Sequence, residues 1–200
     1  DTGGQTRYVV ELARALAAQP NVDRVDLLTR RVVDSQISAD YARGEEPIGN
    51  GAFIVRRNAG PDGYIRKEEL WDHLDTFADN AVEYLSQTER SPDIIHSHYA
   101  DAGYVGARIA ALLGVPLVHT GHSLGRVKRR RLLAAGLSSD EIEQQYSMAR
   151  RIDAEENVLG SAELVIASTH NEIEEQYALY DYYQPELMRV IPPGTDLENF

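Results

Sequence analysis

The 200-residue sequence predicts an α/β fold, a Rossmann-like doubly wound parallel sheet with helices on both faces. Short apolar segments alternate with segments of helical periodicity, which is typical of parallel strands joined by helices. A Gly-Gly turn stands before the first helix, and in such sheets a turn of this kind joins a strand to its helix. We expect one domain over residues 1–200 that is trimmed at both ends, because no strand precedes the turn and the last strand leads into a turn that stops at Phe200.

The first half of the chain predicts two helices and two strands. Apolar residues recur at helical spacing from Tyr8 to Leu16 and predict a helix that ends near Pro20. The apolar segments 25–29 (VDLLT) and 53–57 (FIVRR) predict strands, and segment 36–51 has no period and predicts a loop. Segment 67–87 predicts an acidic helix. Its apolar face consists of Leu70, Leu74, Phe77, Ala81, Val82 and Leu85.

The second half repeats this alternation more tightly. Four strands are predicted, at 93–98, 115–121, 163–168 and 188–193. The predicted helices lie at 102–114, in a long helical region from Ser138, and at 171–180. Ser138 with Glu141, and Thr169 with Glu172, have the spacing of capping boxes, which supports two of these helix starts.

Composition narrows the function classes. A formal net charge of −12 argues against a nucleic-acid partner, because the phosphate backbone would be repelled. The absence of cysteine excludes disulfides, thiolate metal sites and cysteine nucleophiles. With no apolar run of about 18 residues and no signal-peptide pattern, we expect no membrane span and a cytoplasmic protein. His96 and His98 share a strand face at a spacing that could hold a metal, but no third ligand is evident, so we expect buried or loop-edge histidines and no metal.

The Gly-Gly turn is the first candidate binding site. Gly3 and Gly4 would let the backbone approach a ligand closely, and the N–H groups of the following helix turn favour an anion or a sugar hydroxyl. Gln5 adds a neutral donor and acceptor. For an isolated Gly-Gly pair a plain tight turn is the favoured explanation, so this signal alone is weak.

The segment HTGHSLGRVKRRR, which starts at His119, is the second candidate. It leaves the carboxyl end of a strand, the edge at which open parallel sheets collect ligands. Five of the six residues 126–131 are basic in an otherwise acidic chain. We expect a solvated helix face for part of 129–131, whereas Arg126 and Lys128 lie where a phosphate could reach them. His122 follows the strand directly and is a candidate in its own right.

Two neighbouring arginines form the third candidate. Arg150 and Arg151 lie in a helix with several acidic residues, and the spacing of four between Arg151 and Glu155 predicts a helix-surface ion pair for one arginine. The other could turn toward the same anion. Tyr182 and Tyr183, by contrast, are expected to be packing or surface residues.

Taken together and in this order, six segments resemble the N-terminal half of the sucrose-phosphate synthase family, within glycosyltransferase family 4. They are DTGGQTRYVVELARAL, SPDIIHSHYADAGYVG, LVHTGHSLGRVK, RRIDAEE, LVIASTHNEIEEQ and VIPPGTD, and they extend over nearly the whole chain. The resemblance implies the N-terminal, acceptor-binding domain of a GT-B enzyme, in which two Rossmann-like domains face a cleft. It also implies retaining transfer of glucose from UDP-glucose to fructose 6-phosphate, with the nucleotide sugar held mainly by a C-terminal domain absent from this chain.

The resemblance also implies roles for individual residues. Gly3 and Gln5 would contact the acceptor sugar, and His122 would lie beside the transferred glucose as the catalytic residue. The acceptor phosphate would be held by Lys67, Lys128 and one of Arg150 and Arg151, with Ser123 nearby. The isolated chain would then bind fructose 6-phosphate at best and not turn over.

Other functions remain open from sequence. Mannosylfructose-phosphate synthase shares the acceptor and uses GDP-mannose as donor, and sucrose synthase uses unphosphorylated fructose. A non-catalytic sugar-phosphate-binding domain is the alternative outside enzymes. The sequence leaves stimulation by Mg²⁺ and the oligomeric state open, and we expect no resident cofactor.

Overall fold

The computed structural model describes residues 4–88 and 90–194. The chain divides into two compact units, Asp1–Arg90 and Ser91–Phe200. The expectation of a single domain over residues 1–200 stays a prediction.

The first unit contains a three-stranded mixed sheet and two α-helices. The order along the chain is α1 (Gly4–Ala17), β1 (Val25–Arg30), β2 (Glu45–Gly49), β3 (Ala52–Arg57) and α2 (Leu74–Gln87). The strand order is β1-β3-β2, with β1 parallel and β2 antiparallel to β3. Leu74, Phe77, Ala81 and Leu85 are buried along α2, as the helical spacing predicted.

Two sequence predictions fail in this unit. Segment 36–51 was expected to be a loop, but it contains β2. This strand lies at the edge of the sheet and alternates exposed with half-buried residues, so it needs no apolar run. Pro47 is tolerated there because an edge strand need not donate every N–H. The second helix begins at Leu74 and not at Lys67, and a 3-10 turn at Leu70–His73 precedes it.

The second unit is an all-parallel sheet with the strand order β4-β5-β6-β7. Its strands are β4 (Ile95–His98), β5 (Leu117–Thr120), β6 (Leu164–Ala167) and β7 (Met188–Val190). Its helices are α3 (Ala100–Leu113), α4 (Gly125–Ala134), α5 (Ser139–Tyr146) and α6 (Met148–Ser161). A π-helical turn at Glu172–Gln176 and a 3-10 turn at Tyr177–Leu179 stand where a regular helix was predicted.

Apolar residues of the strands and of α3 and α6 form the core of this unit. Leu117, Val158, Val165 and Tyr177 belong to one buried cluster, and each of these four residues is at most 2% exposed. Tyr183 packs against this cluster and Tyr182 is 56% exposed, so both are packing or surface residues as expected.

Helix termini follow the predicted capping residues. The capping box of Ser138 and Glu141 is complete, since each side chain accepts from the other residue's backbone N–H. Thr169 accepts from the N–H of Glu172, but the Glu172 carboxylate accepts from Ser168, so the second box is only half formed. The helical region from Ser138 is broken at Ser147, whose φ of 45° ends α5 and starts α6. Within the ranges 4–88 and 90–194, no helix is long and apolar enough to cross a bilayer.

Candidate functional site

Just after the carboxyl ends of β4 and β5, two non-glycine residues have strained backbone conformations with positive φ. His98 and Thr120 end these strands side by side. Tyr99 follows β4 with φ 81° and ψ 168°, a region used almost only by glycine. His122 follows β5 with φ 59°, and the Ser123 N–H donates to the Gly121 carbonyl at 2.7 Å, which makes a γ-turn of the rarer, strained form. Strain of this kind costs about 1–3 kcal/mol per residue and is concentrated at functional sites.

Four histidines lie at this edge, divided between the two faces of the sheet. The rings of His96 and His98 are 4.1 Å apart, which confirms that they share a face. His98 Nδ1 lies 2.9 Å from His122 Nε2, and His96 Nε2 lies 2.9 Å from Thr120 Oγ1. On the other face, His119 Nδ1 lies 2.9 Å from Ser97 Oγ. His96, His98 and His122 therefore form one connected polar cluster.

These imidazoles are neutral at physiological pH. Burial, reinforced by the neighbouring histidines, lowers the pKa of His98 to about 2 and that of His119 to about 3. Burial and His122 lower the pKa of His96 to about 4, and burial also lowers the pKa of His122. A neutral imidazole has one N–H and one acceptor nitrogen, so the contact between His98 and His122 couples the tautomers of the two rings. His122 is therefore equipped to exchange hydrogen bonds with neutral groups such as sugar hydroxyls.

The histidine cluster does not extend to a metal site. In the described part of the chain, no group of three or more His, Asp or Glu side chains is placed to hold a metal ion.

The segment that follows β5, residues 121–126, is attached to α6 by a buried ion pair. Arg151 Nε lies 3.0 Å from Glu155 Oε1, as the spacing of four predicted, but the pair is buried and not at the surface. Both Glu155 oxygens accept from the N–H of Gly125, at 2.9 and 3.0 Å, which places a carboxylate at the positive end of α4. Arg151 Nη2 donates to the Ser123 carbonyl at 2.7 Å. The loop that carries His122 is thus anchored in the core.

The remaining basic candidates differ in their surroundings. Arg126 Nη2 lies 2.5 Å from Glu156 and 3.3 Å from Asp181, so two carboxylates already balance its charge. Lys128 lies on α4, and its Nζ is 3.9 Å from the centre of the Tyr146 ring. Residues 129–131 are exposed, and a solvated helix face was expected for part of them; Arg150 is exposed as well. The phosphate-binding roles of these residues stay predictions.

The candidates in the first unit are described only in part. Gly4 is the first residue of α1, Gly3 lies outside the described residues, and so does the side chain of Gln5. Lys67 is exposed in a turn before the 3-10 segment. Their predicted contacts with an acceptor are untested.

Three tyrosines that the sequence did not single out belong to this site. Tyr99 carries the strained backbone, and Arg151 stacks over its ring at 4.7 Å. Tyr177 and Tyr180 accept from the N–H groups of Gly121 and Arg126, both at 3.1 Å. The only sequence signal for Tyr99 is its place directly after a strand, and nothing local marks the other two.

Comparison with known proteins shows the family of this chain. The family model described as Glycosyltransferase Family 4 matches residues 2–199. The chain belongs to glycosyltransferase family 4. Its parallel sheet with covering helices is the fold of a GT-B-like N-terminal domain of that family, which confirms the predicted fold class.

The curated proteins that resemble this chain include sucrose-phosphate synthases. The chain is 43% identical to probable sucrose-phosphate synthase 1 of Oryza sativa subsp. indica and 40% identical to sucrose-phosphate synthase of Zea mays, in each case over 100% of its length. It covers 23% of each of these two proteins, so it spans about a quarter of their length. The resemblance to sucrose-phosphate synthases is confirmed.

Solved structures agree with this placement. Sucrose-phosphate synthase from Thermosynechococcus elongatus superimposes with a TM-score of 0.77 at 29% identity, over 99% of this chain and 44% of that one. HepE of Anabaena, solved in complex with UDP and glucose, gives a TM-score of 0.54 at 19% identity over 99% of this chain and 43% of that one. At that identity the second match shows the shared fold alone.

Proposed function

We propose that this chain supplies the acceptor side of a sucrose-phosphate synthase. The reaction is transfer of glucose from UDP-glucose to fructose 6-phosphate, with retention at the anomeric carbon, and it gives sucrose 6-phosphate and UDP. The observation that carries the proposal is the loop after β5, in which His122 on a strained turn is followed within six residues by Lys128 on α4. Similarity to named sucrose-phosphate synthases along the whole chain supports the substrate assignment.

The neutral state of His122 decides its role in this proposal. Its lowered pKa makes it a hydrogen-bonding group and not a cation at neutral pH. We therefore assign it to hydroxyls of the glucose being transferred, and we assign the acceptor phosphate to basic side chains. Front-face attack by an acceptor hydroxyl requires that the charge of the leaving diphosphate be balanced, and we expect residues outside these 200 to do this.

Carboxylates already hold two of the basic residues. Arg151 is buried against Glu155, and Arg126 is paired with two carboxylates. A guanidinium held in this way can bind a phosphate only after its carboxylates are displaced. We assign the phosphate to Lys128, which lies on α4 six residues after His122, and to Arg150, which is the exposed member of the arginine pair.

Product analysis of the full-length protein tests this function. Incubation with UDP-glucose and fructose 6-phosphate should give sucrose 6-phosphate with the glucosyl linkage in the α configuration, as determined by NMR. GDP-mannose in place of UDP-glucose, and fructose in place of fructose 6-phosphate, should give little product. Preferred use of GDP-mannose or of fructose would replace the proposal with mannosylfructose-phosphate or sucrose synthesis. Binding without turnover would favour a non-catalytic sugar-phosphate-binding protein.

A further inference from the structure

The backbone of the loop Gly121–Arg126 is hydrogen-bonded to side chains that are distant in sequence. Three of its backbone N–H groups donate to side chains: Gly121 to the Tyr177 hydroxyl, Gly125 to the Glu155 carboxylate, and Arg126 to the Tyr180 hydroxyl. Tyr180 in turn donates to Glu155. Gly121 lies in the loop, and Gly125 and Arg126 begin α4, so buried side chains here satisfy N–H groups that would otherwise bond to water at a loop or a helix N-terminus.

The two glycines of the loop show how closely the holding groups approach. A Cβ on Gly121 would lie 2.6 Å from the Tyr177 hydroxyl oxygen, and a Cβ on Gly125 would lie 2.7 Å from Glu155 Oε2. Both distances are shorter than real Cβ contacts allow, so a side chain at either position would displace the group that holds the loop. The loop backbone thus lies directly on the side chains that hold it.

The holding groups are removed from water. Tyr177 is 0% exposed, Tyr180 is 4% exposed and Glu155 is 2% exposed. Burial raises the pKa of both tyrosines, with nearby carboxylates adding to the shift, so their hydroxyls stay protonated at neutral pH. Because water cannot replace a buried partner, removing one hydroxyl leaves a backbone N–H unsatisfied.

The conformation that these groups hold is strained. His122 has a φ of 59° at the centre of a γ-turn, and such a backbone persists only where the surrounding structure over-determines it. The anchors lie on either side of the turn, at Gly121 before it and at Gly125 and Arg126 after it. Arg151 adds a fourth contact, through the Ser123 carbonyl.

We propose that Tyr177, Tyr180 and Glu155 are positioning residues that hold the strained loop in the conformation in which Ser123 meets the acceptor and His122 meets the glucose being transferred. This inference rests on the proposed function, since it adds an indirect contribution to acceptor affinity from residues that touch no substrate. The tyrosine hydroxyls set the loop geometry, and the loop sets the affinity for the sugar phosphate.

The test uses Tyr177→Phe and Tyr180→Phe in the full-length protein. Each removes one hydroxyl and keeps the ring that packs in the core. Tyr182→Phe is the matched control, because it makes the same chemical change on an exposed ring of the same segment. A net hydrogen bond corresponds to roughly a threefold to tenfold change in an equilibrium constant. We expect each variant to raise the KM for fructose 6-phosphate and to lower kcat, each by about this factor, because the loop carries contacts to the acceptor and to the transferred glucose.

Hydrogen exchange gives a second measurement that does not depend on activity. In both variants, amide exchange in peptides that cover residues 118–130 should accelerate by roughly threefold to tenfold, and Tyr182→Phe should leave it unchanged. Unchanged loop exchange would overturn the proposal. A lower melting temperature with an unchanged kcat and an unchanged KM for fructose 6-phosphate would overturn it too, since that is the signature of a structural role alone.

The same experiment separates this inference from the proposed function. If the unmodified protein makes no sucrose 6-phosphate, the proposed function fails, and the exchange measurement still decides whether the hydroxyls hold the loop. If the unmodified protein is active and the two variants behave like Tyr182→Phe, only the positioning role is overturned.

Discussion

Glu155→Gln should be among the most destabilising single changes in the second unit. Glu155 is 2% exposed and Arg151 is 5% exposed, with 3.0 Å between Nε and Oε1. The carboxylate accepts from Arg151, Gly125 and Tyr180, so each of its contacts is with a donor. An amide would keep one acceptor oxygen and turn a nitrogen toward those donors, and the Arg151 charge would stay buried without its counter-ion. Removing one member of a buried pair costs about 3–5 kcal/mol, and we expect about 3 kcal/mol because the Ser123 carbonyl still accepts from Arg151.

Urea denaturation of the full-length protein, followed by hydrogen exchange in peptides from α4 and α6, measures this loss. Glu163→Gln makes the same change at an exposed position and should leave the unfolding free energy within about 0.5 kcal/mol of its original value. The double variant Arg151→Met/Glu155→Gln should be less destabilised than the sum of the single variants, because no unpaired charge remains. A loss below about 1 kcal/mol for Glu155→Gln, or strict additivity in the double variant, would refute this account of the pair.

Two further predictions concern the histidine cluster and a strained helix junction. Because burial lowers the pKa of His119 to about 3, the unfolded chain takes up a proton near pH 6.5 and the folded chain does not, so stability falls as the pH falls below 6.5. His119 should account for about 1.3 kcal/mol of the stability lost between pH 7 and pH 5.5. His119→Asn, which keeps a partner for Ser97, should lose that share in exchange-monitored unfolding. Ser147→Gly relieves a left-handed backbone and should raise the unfolding free energy by about 0.5–1 kcal/mol, whereas Ser161→Gly in the last turn of α6 should lower it.

Most of the second unit could be predicted from the sequence because short strand-like segments alternate with helical periods. Each of β4 to β7 lies inside a predicted strand, including β4, which consists of Ile95, His96, Ser97 and His98. The shared face of His96 and His98, and the ion pair of Arg151 with Glu155, were also predictable because they depend only on local spacing.

The unpredicted features depend on contacts that are distant in sequence or on the edge of a sheet. The N–H of Gly121 donates to the Tyr177 hydroxyl 56 residues away, and that of Gly125 donates to Glu155 30 residues away. Patterns of local spacing cannot predict contacts between residues so far apart in sequence. Strand β2 escaped prediction because an edge strand exposes half of its residues and needs no apolar run. The ion pairs of Arg126 with Glu156 and Asp181 likewise join distant segments, whereas the sequence showed only a basic run.

The central claim is that this chain recognises a phosphorylated acceptor through the basic start of α4. Calorimetric titration of the full-length protein with fructose 6-phosphate, with fructose and inorganic phosphate as controls, tests it most directly. The account predicts saturable binding of the sugar phosphate, much weaker binding of either control, and a loss of affinity of about tenfold to a hundredfold in Lys128→Ala. Arg130→Ala, which removes an exposed cation from the same helix, should bind as before. Equal binding of fructose, or unchanged affinity in Lys128→Ala, would contradict the claim.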